Sequence, residues 1–246
     1  MKYQEQYDAQ RQIWYRPGTN DTWIYDEIEK DYRLGREQFN SNEIAMDIGS
    51  HAGYFTKKLV EMGIGHVYLF EPQPDNLVLC SKNLENYKDK IEISEKAVWN
   101  KSNETLFINE LGVNSGGNSV LSTGPIAVKS ISFDEIIEKA TNNFKNRIKI
   151  LKIDTEGSEW PILFTSKYLG FIDIIVGEVH EFGKNGRIVP DSLKSLGLSN
   201  FTIEEFKRFI VLKGFSFAVT QNTGFYYIPF KAKNRRQGVN DHRRGR

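Results

Sequence analysis

The chain has 246 residues, 39% of them hydrophobic and 26% charged, with a formal net charge of +1. That length suits one α/β domain with a sizeable core, and the composition excludes a long disordered or fibrous chain. No apolar stretch reaches bilayer-spanning length, the polar start "MKYQEQYDAQRQIW" lacks a secretory apolar core, and the single Cys80 excludes an internal disulfide, so a cytoplasmic protein is expected.

Residues 1–43 read as an N-terminal helical cover segment, with Trp23, Ile24 and Ile28 as its apolar face. Residues 44–230 alternate apolar runs with helical periods, the βαβ pattern of a mostly parallel sheet. Ile44–Ile48 is the expected first strand. The spacing then predicts a helix over 53–62 with Phe55, Leu59 and Met62 inward and Gly63 ending it. His66–Phe70 reads as the second strand, followed by a helix over 75–86 capped by Asp75 or Asn76. Cys80 lies in that helix, where a small buried hydrophobe is expected. Ile91–Ser94 is a shorter third strand. Residues 104–108 and 126–130 read as paired strands flanking the loop "GVNSGGNSVLSTG", which suits either a substrate-facing lid or a plain long connection. Ser132 with Glu135 reads as a capping box opening a helix over 133–140. The runs 148–153 and 172–179 read as central buried strands. Thr202 with Glu205 opens a further helix, and "FSFAVT" and "GFYYIPF" read as a terminal strand pair. Residues 231–246 hold seven Lys/Arg against one Asp, leaving the body near −5. They read as a basic, disordered tail able to attract phosphate or another anionic surface.

Ligands of open α/β sheets bind beyond the carboxyl ends of the strands, so the residues that follow each strand carry the chemistry. After the first comes Asp47-Ile48-Gly49-Ser50-His51-Ala52-Gly53, leading into Tyr54. Gly49 allows a tight turn and Gly53 lets the helix start close to a cofactor, because a Cβ would collide. His51 stands mid-loop, as a ligand contact or as a solvent-facing residue. Glu71, followed by Pro72, ends the second strand 24 residues after Asp47. That interval suits an acid accepting two ribose hydroxyls. A nicotinamide cofactor would satisfy both sites. The later strand end "LKIDTEGSEWPIL" argues against it, because Asp154, Glu156 and Glu159 repel one another unless a cation is near. S-adenosylmethionine supplies a sulfonium and an ammonium, whereas a dinucleotide supplies phosphates. The alternative is that Asp154 or Ser158 merely caps the next helix, with Glu159 aiding the dipole.

Seven segments, "RPGTNDTWIYDEIEKDYRL", "DIGSHAGYFT", "FEPQPDN", "KAVWN", "SISFDEII", "LKIDTEGSEWPIL" and "GEVHEF", run in order over about two thirds of the chain. Together they resemble the FkbM-type family of S-adenosylmethionine-dependent methyltransferases. His51 departs from that family's usual asparagine, and the basic tail lies outside the resemblance. The resemblance implies a class I methyltransferase (Rossmann-like) three-layer sandwich, with a seven-stranded mostly parallel sheet and an antiparallel terminal strand. It also implies O-methylation, commonly of a sugar or natural-product hydroxyl. By position it sets Asp47 and Gly49 at the methionine part of S-adenosyl-L-methionine and Glu71 at the ribose. Ala97 and Val98 would lie near the adenine, and Asp154 near the reaction centre. Ser50, His51, Gly53, Tyr54, Pro72 and Glu156 complete the expected cofactor-binding set.

Methyl transfer to a hydroxyl is an in-line displacement helped by a base. His180, in "GEVHEF", is the expected base, with Glu178 or Glu181 to orient it and Asp154 in reserve. A structural histidine bonded to nearby backbone is the alternative reading. Asp154 and Glu178 offer oxygen ligands, but with no His/Cys cluster and no metal-loop spacing no metal is expected. The expected partner is a small-molecule or glycan acceptor. An RNA ribose 2′-O-methyltransferase would use the basic tail as a phosphate anchor, but no aromatic-basic stretch supports single-strand binding. A non-catalytic cofactor-binding or scaffolding protein is the other alternative, against which the acids at 47, 71 and 154 count.

Overall fold

The computed structural model describes residues 4–109, 112–120, 124–183, 187–198, 200–221, 223 and 227–236. The chain opens with a small hairpin, β1 (Gln6–Asp8) paired antiparallel with β2 (Ile13–Tyr15), before the helix α1 (Asp21–Tyr32). The cover is thus a hairpin plus one helix. Ile28 is buried and Ile24 half-buried, but Trp23 is 52% exposed. Residues 24 and 28 share a helix face, while residue 23 is turned about 100° away from its neighbour.

The α/β body follows in the expected order: β3 (Ile44–Ile48), α2 (Tyr54–Glu61), β4 (His66–Phe70), α3 (Pro74–Asn83) and β5 (Ile91–Ser94). Three short strands, β6 (Ala97–Trp99), β7 (Thr105–Ile108) and β8 (Ile126–Ser132), form a side sheet in the order β6-β8-β7. Next come α4 (Phe133–Ala140), β9 (Ile148–Ile153), α5 (Glu159–Thr165), β10 (Ile172–His180), α6 (Asp191–Lys194), α7 (Ile203–Leu212), β11 (Phe215–Val219) and β12 (Tyr227–Asn234). The main sheet has seven strands in the order β11-β12-β10-β9-β3-β4-β5. The run from β10 to β5 is parallel, and β12 is antiparallel to both of its neighbours.

The central strands are buried on both faces, as near-continuous apolar runs require. Met46, Ile48, Leu151 and Ile153 face one core with Trp160 and Phe206. Their neighbours Ala45 and Ile150 face the other, with Phe55, Leu59 and Leu79. The alternation follows the two-residue period of a strand. Among the described residues, no helix is long and apolar enough to cross a membrane.

Local signals differ from expectation in two places. The cap of α3 is Gln73, whose side chain accepts the Asn76 N–H at 3.0 Å, because Pro74 occupies the first helical position. Ser132 precedes α4 without capping it, since it ends β8 and its N–H goes to Ser102 Oγ at 2.7 Å. At α7, by contrast, Thr202 accepts the Glu205 N–H as the spacing predicts.

The expected boundary at 230/231 is corrected, because β12 continues through Asn234. Phe230, Ala232 and Asn234 point inward, while Lys231 and Lys233 alternate outward to Glu37 Oε1 at 2.8 and 2.7 Å. A strand period hidden in polar letters made this segment read as tail. Residues 237–246 lie outside the described residues.

Candidate active site

A cavity of about 210 Å³ opens over the carboxyl ends of β3, β4, β9 and β10, roofed by α1 and the loop 114–120. Of the expected residues, Gly49, Ser50, His51, Tyr54, Glu71, Pro72, Ala97, Val98, Asp154, Glu156 and Glu178 line it.

Three do not. Asp47 is fully buried beneath the loop, where its Oδ2 accepts from Thr56 Oγ1 at 2.8 Å and its Oδ1 lies 3.6 Å from Lys152 Nζ. Gly53 has φ +76°, and a Cβ there would meet Cys80 Sγ and Leu84 Cδ1 at 2.9 Å. Its requirement is packing against α3 rather than approach to a ligand. His180 is buried behind the wall, 1% exposed. Gly49, with φ +75°, does line the cavity, yet a Cβ on it would strike the carbonyl of Asp154 at 1.9 Å. That glycine seats the first loop against the β9–α5 turn.

Glu71 is held by two backbone donors, His51 N–H at 2.8 Å on Oε2 and Gln73 N–H at 2.9 Å on Oε1. Each oxygen can accept a further hydrogen bond, and the residue lines the cavity. The His51 side chain is buried, not solvent-facing. Its Nε2 lies 3.0 Å from both Arg16 Nη2 and Ser115 Oγ.

Each of the three carboxylates of "DTEGSE" has a cationic or hydrogen-bond-donating neighbour in the fold. Asp154 lies 3.8 Å from Lys152 Nζ, and Glu156 lies 3.2 Å from His180 Nε2. Glu159 is buried, accepting the N–H groups of Gly157 at 2.8 Å and His180 at 2.7 Å. Lys152 was missed in the sequence, although a lysine inside the apolar run "ILKID" is the signal that could have found it. Burial opposes its charge, but Asp154 and Asp47 outweigh burial and hold its ammonium above the usual lysine range. It also donates to the carbonyl of Gly49.

The parallel register pairs Ile153 with Gly177, so Asp154 and Glu178 emerge side by side. Asp154, Glu178 and His180 each bring one ligand-type atom within 4.8 Å of the others. Strand register, rather than sequence interval, brings these three atoms together. Burial of His180 opposes a charge, yet Glu156 and Glu159 overcome it and push the imidazole well above its ordinary value. Burial and then Asp154 raise Glu178 well above the usual carboxylate range. Asp31 on α1 was also missed; it lines the cavity, and burial, then Glu27 and Asp154, raise its carboxyl to about 7.

A seven-stranded sheet with its reversed strand set one place in from the edge, and a cavity over the carboxyl ends, is the class I methyltransferase fold. The crystal structure of methyltransferase FkbM from Methylobacillus flagellatus superposes with a TM-score of 0.52 at 14% identity, covering 85% of this chain and 47% of that one. Residues 47–217 match the family model described as the methyltransferase FkbM domain, and the chain belongs to that family. The hexuronic acid methyltransferase AglP of Haloferax volcanii is 24% identical over 149 residues, 60% of each chain. The chain thus aligns with less than two thirds of that relative's length.

Proposed function

We propose that the protein is an S-adenosylmethionine-dependent O-methyltransferase acting on a hydroxyl of a sugar or glycan. The observation that carries this reading is a cavity lined both by Glu71 and by the adjacent acids Asp154 and Glu178.

The wall fits the cofactor. Ser50 Oγ, His51 Nδ1, Asn76 Oδ1 and Ser158 Oγ belong to residues lining this cavity, are buried, and have no hydrogen-bond partner within the protein. Buried polar atoms are normally satisfied, so these suit a polar ligand. Glu71 would take the ribose hydroxyls, Ala97 and Val98 would flank the adenine, and Gly49 and Ser50 would border the methionine end. Asp47 acts from beneath, holding Lys152 under the Gly49 carbonyl. When bound, S-adenosylmethionine supplies a sulfonium methyl open to displacement.

The acceptor hydroxyl would then lie against Asp154 and Glu178, with Glu178 receiving its proton. His180 is a positioning residue, fixed by Glu159 and reaching the cavity through Glu156 and Glu178. Much of the catalysis would be alignment of oxygen, methyl carbon and sulfur. The relative's name specifies a hexuronic acid, which supports a sugar as the acceptor class. The acidic wall has the wrong sign for a phosphate backbone, and Lys231 and Lys233 are engaged by Glu37, so among the described residues neither feature favours RNA.

The test is transfer of an isotopically labelled methyl group from S-adenosylmethionine to neutral and uronic-acid saccharides, with the product bond located by mass spectrometry. An ether on a hydroxyl is expected. A methyl ester, an N-methyl product, or failure of calorimetry to detect cofactor binding would overturn the reading.

A further inference from the structure

Asp154 at the end of β9 and Glu178 and His180 at the end of β10 present two carboxylate oxygens and one ring nitrogen within 4.8 Å of one another. We propose that these three side chains bind a hard divalent cation, Mg2+ or Mn2+, that holds the acceptor hydroxyl. The chemistry of the set decides the class of ion. Two carboxylates and one imidazole, with no thiolate, suit oxygen-seeking cations that keep open positions for further oxygen ligands. Cys80, the single cysteine, is packed under Gly53 on the other side of the loop.

His180 is held as a metal-binding histidine is held. Its Nδ1 lies 3.0 Å from Glu159 Oε1, and Glu159 is itself fully buried and fixed by Gly157 N–H. A buried carboxylate on one ring nitrogen orients the ring and directs the other nitrogen outward. Here Nε2 points toward Glu178 at 3.9 Å and Glu156 at 3.2 Å. The position facing Nε2 thus calls for positive charge, which a proton or a metal ion supplies.

A second observation, from another element, adds to the demand of the same cavity for positive charge. Asp31 on α1 is 6% exposed, lines this cavity, and its Oδ1 has no hydrogen-bond partner. Among the described residues the wall carries the acids Glu27, Asp31, Glu71, Asp154, Glu156 and Glu178 against one Lys/Arg, Lys152. Lys152 already faces Asp47 and Asp154 at 3.6 and 3.8 Å. S-adenosylmethionine brings a net single positive charge, so the acid surplus outlasts cofactor binding. A divalent cation offsets it and would let the cavity accept an acidic sugar that the wall alone would repel. With one oxygen of Glu178 on the cation, its other oxygen remains to take the hydroxyl proton.

The inference rests on side-chain geometry, and its test reads the ion directly, so it can fail while the methyl-transfer reading stands. The full-length protein, stripped with chelator, is titrated with Mn2+ and followed by electron paramagnetic resonance. One Mn2+ per chain is expected, with nitrogen modulation from one imidazole in spin-echo spectra. Glu178→Gln and Asp154→Asn should each weaken Mn2+ binding by about tenfold or more, and His180→Gln should remove the nitrogen modulation. No stoichiometric binding by the wild type, unchanged affinity in both acid variants, or modulation persisting in His180→Gln overturns the proposal. The wild-type titration decides by itself if a variant does not fold.

Discussion

The ring of His51 lies 3.0 Å from the hydroxyl of Ser115, a residue 64 positions further along the chain. The same hydroxyl is 2.7 Å from Asp21 Oδ1, which also receives Arg16 Nη2 at 2.9 Å. One buried network therefore locks the glycine loop, the start of α1 and the roof loop around the cavity.

Asp21 is the anionic centre of that network, fully buried, with Arg16 only 4% exposed. Asp21→Asn leaves the guanidinium buried without its counter-charge and should cost about 3–5 kcal/mol. Chemical denaturation at pH 7 measures this; a change within experimental error would show that the pair contributes nothing. The wild type also carries a pH signature. Burial pushes the Asp21 carboxyl up, but His51 and Arg16 more than offset it and hold it well below the carboxylate range. Its folded value is depressed, so the stabilisation is present above about pH 4 and is lost as pH falls further. Asp21→Asn should flatten this acid limb of the stability curve.

Asp31 has the opposite sign. Its carboxyl is raised to about 7, so its favourable contribution is complete below the unfolded value and disappears as pH rises through 7. Asp31→Asn should therefore stabilise the chelator-treated protein more at pH 8 than at pH 4, by about 1 kcal/mol or more at the higher pH. Thermal unfolding at the two pH values is the measurement. Equal shifts at both would mean the carboxyl titrates normally.

Glu71→Ala removes the acceptor of two backbone N–H groups, which is also the proposed acceptor for the ribose hydroxyls. Loss of charge-assisted hydrogen bonds worth about 1.5–3 kcal/mol predicts roughly 10- to 150-fold weaker S-adenosylmethionine binding. Melting temperature should fall too, because His51 and Gln73 lose their acceptor. Calorimetry showing unchanged affinity in a folded variant would remove Glu71 from the site.

Truncation after Phe230 deletes half of a strand paired on both sides, including Ala232 with its partners Ile175 and Phe217. With ladder hydrogen bonds contributing about 1 kcal/mol each, a loss of at least about 3 kcal/mol is expected, read as an early or non-cooperative thermal transition. Wild-type stability in that truncated chain would show that β12 is dispensable beyond Phe230.

The class of fold was legible in the letters because parallel α/β sheets write themselves locally. Apolar runs such as 44–48 and 148–153 are long enough to be buried on both faces, and the helices between them carry their own period. The acids after those strands also declared themselves, since chain order sets which residues stand at strand ends. What those residues do was decided by tertiary contacts. Asp47 and Gly53 lie in the loop motif, yet one turns under Lys152 and the other packs on Cys80, because side-chain direction at a strand end depends on its neighbours. The β9–β10 register set Asp154 beside Glu178 across more than twenty residues, a distance no spacing rule spans. The placement of His180 between Glu156 and Glu159 raises its proton affinity above what its type suggests, since proton affinity belongs to the surroundings and not to the letter.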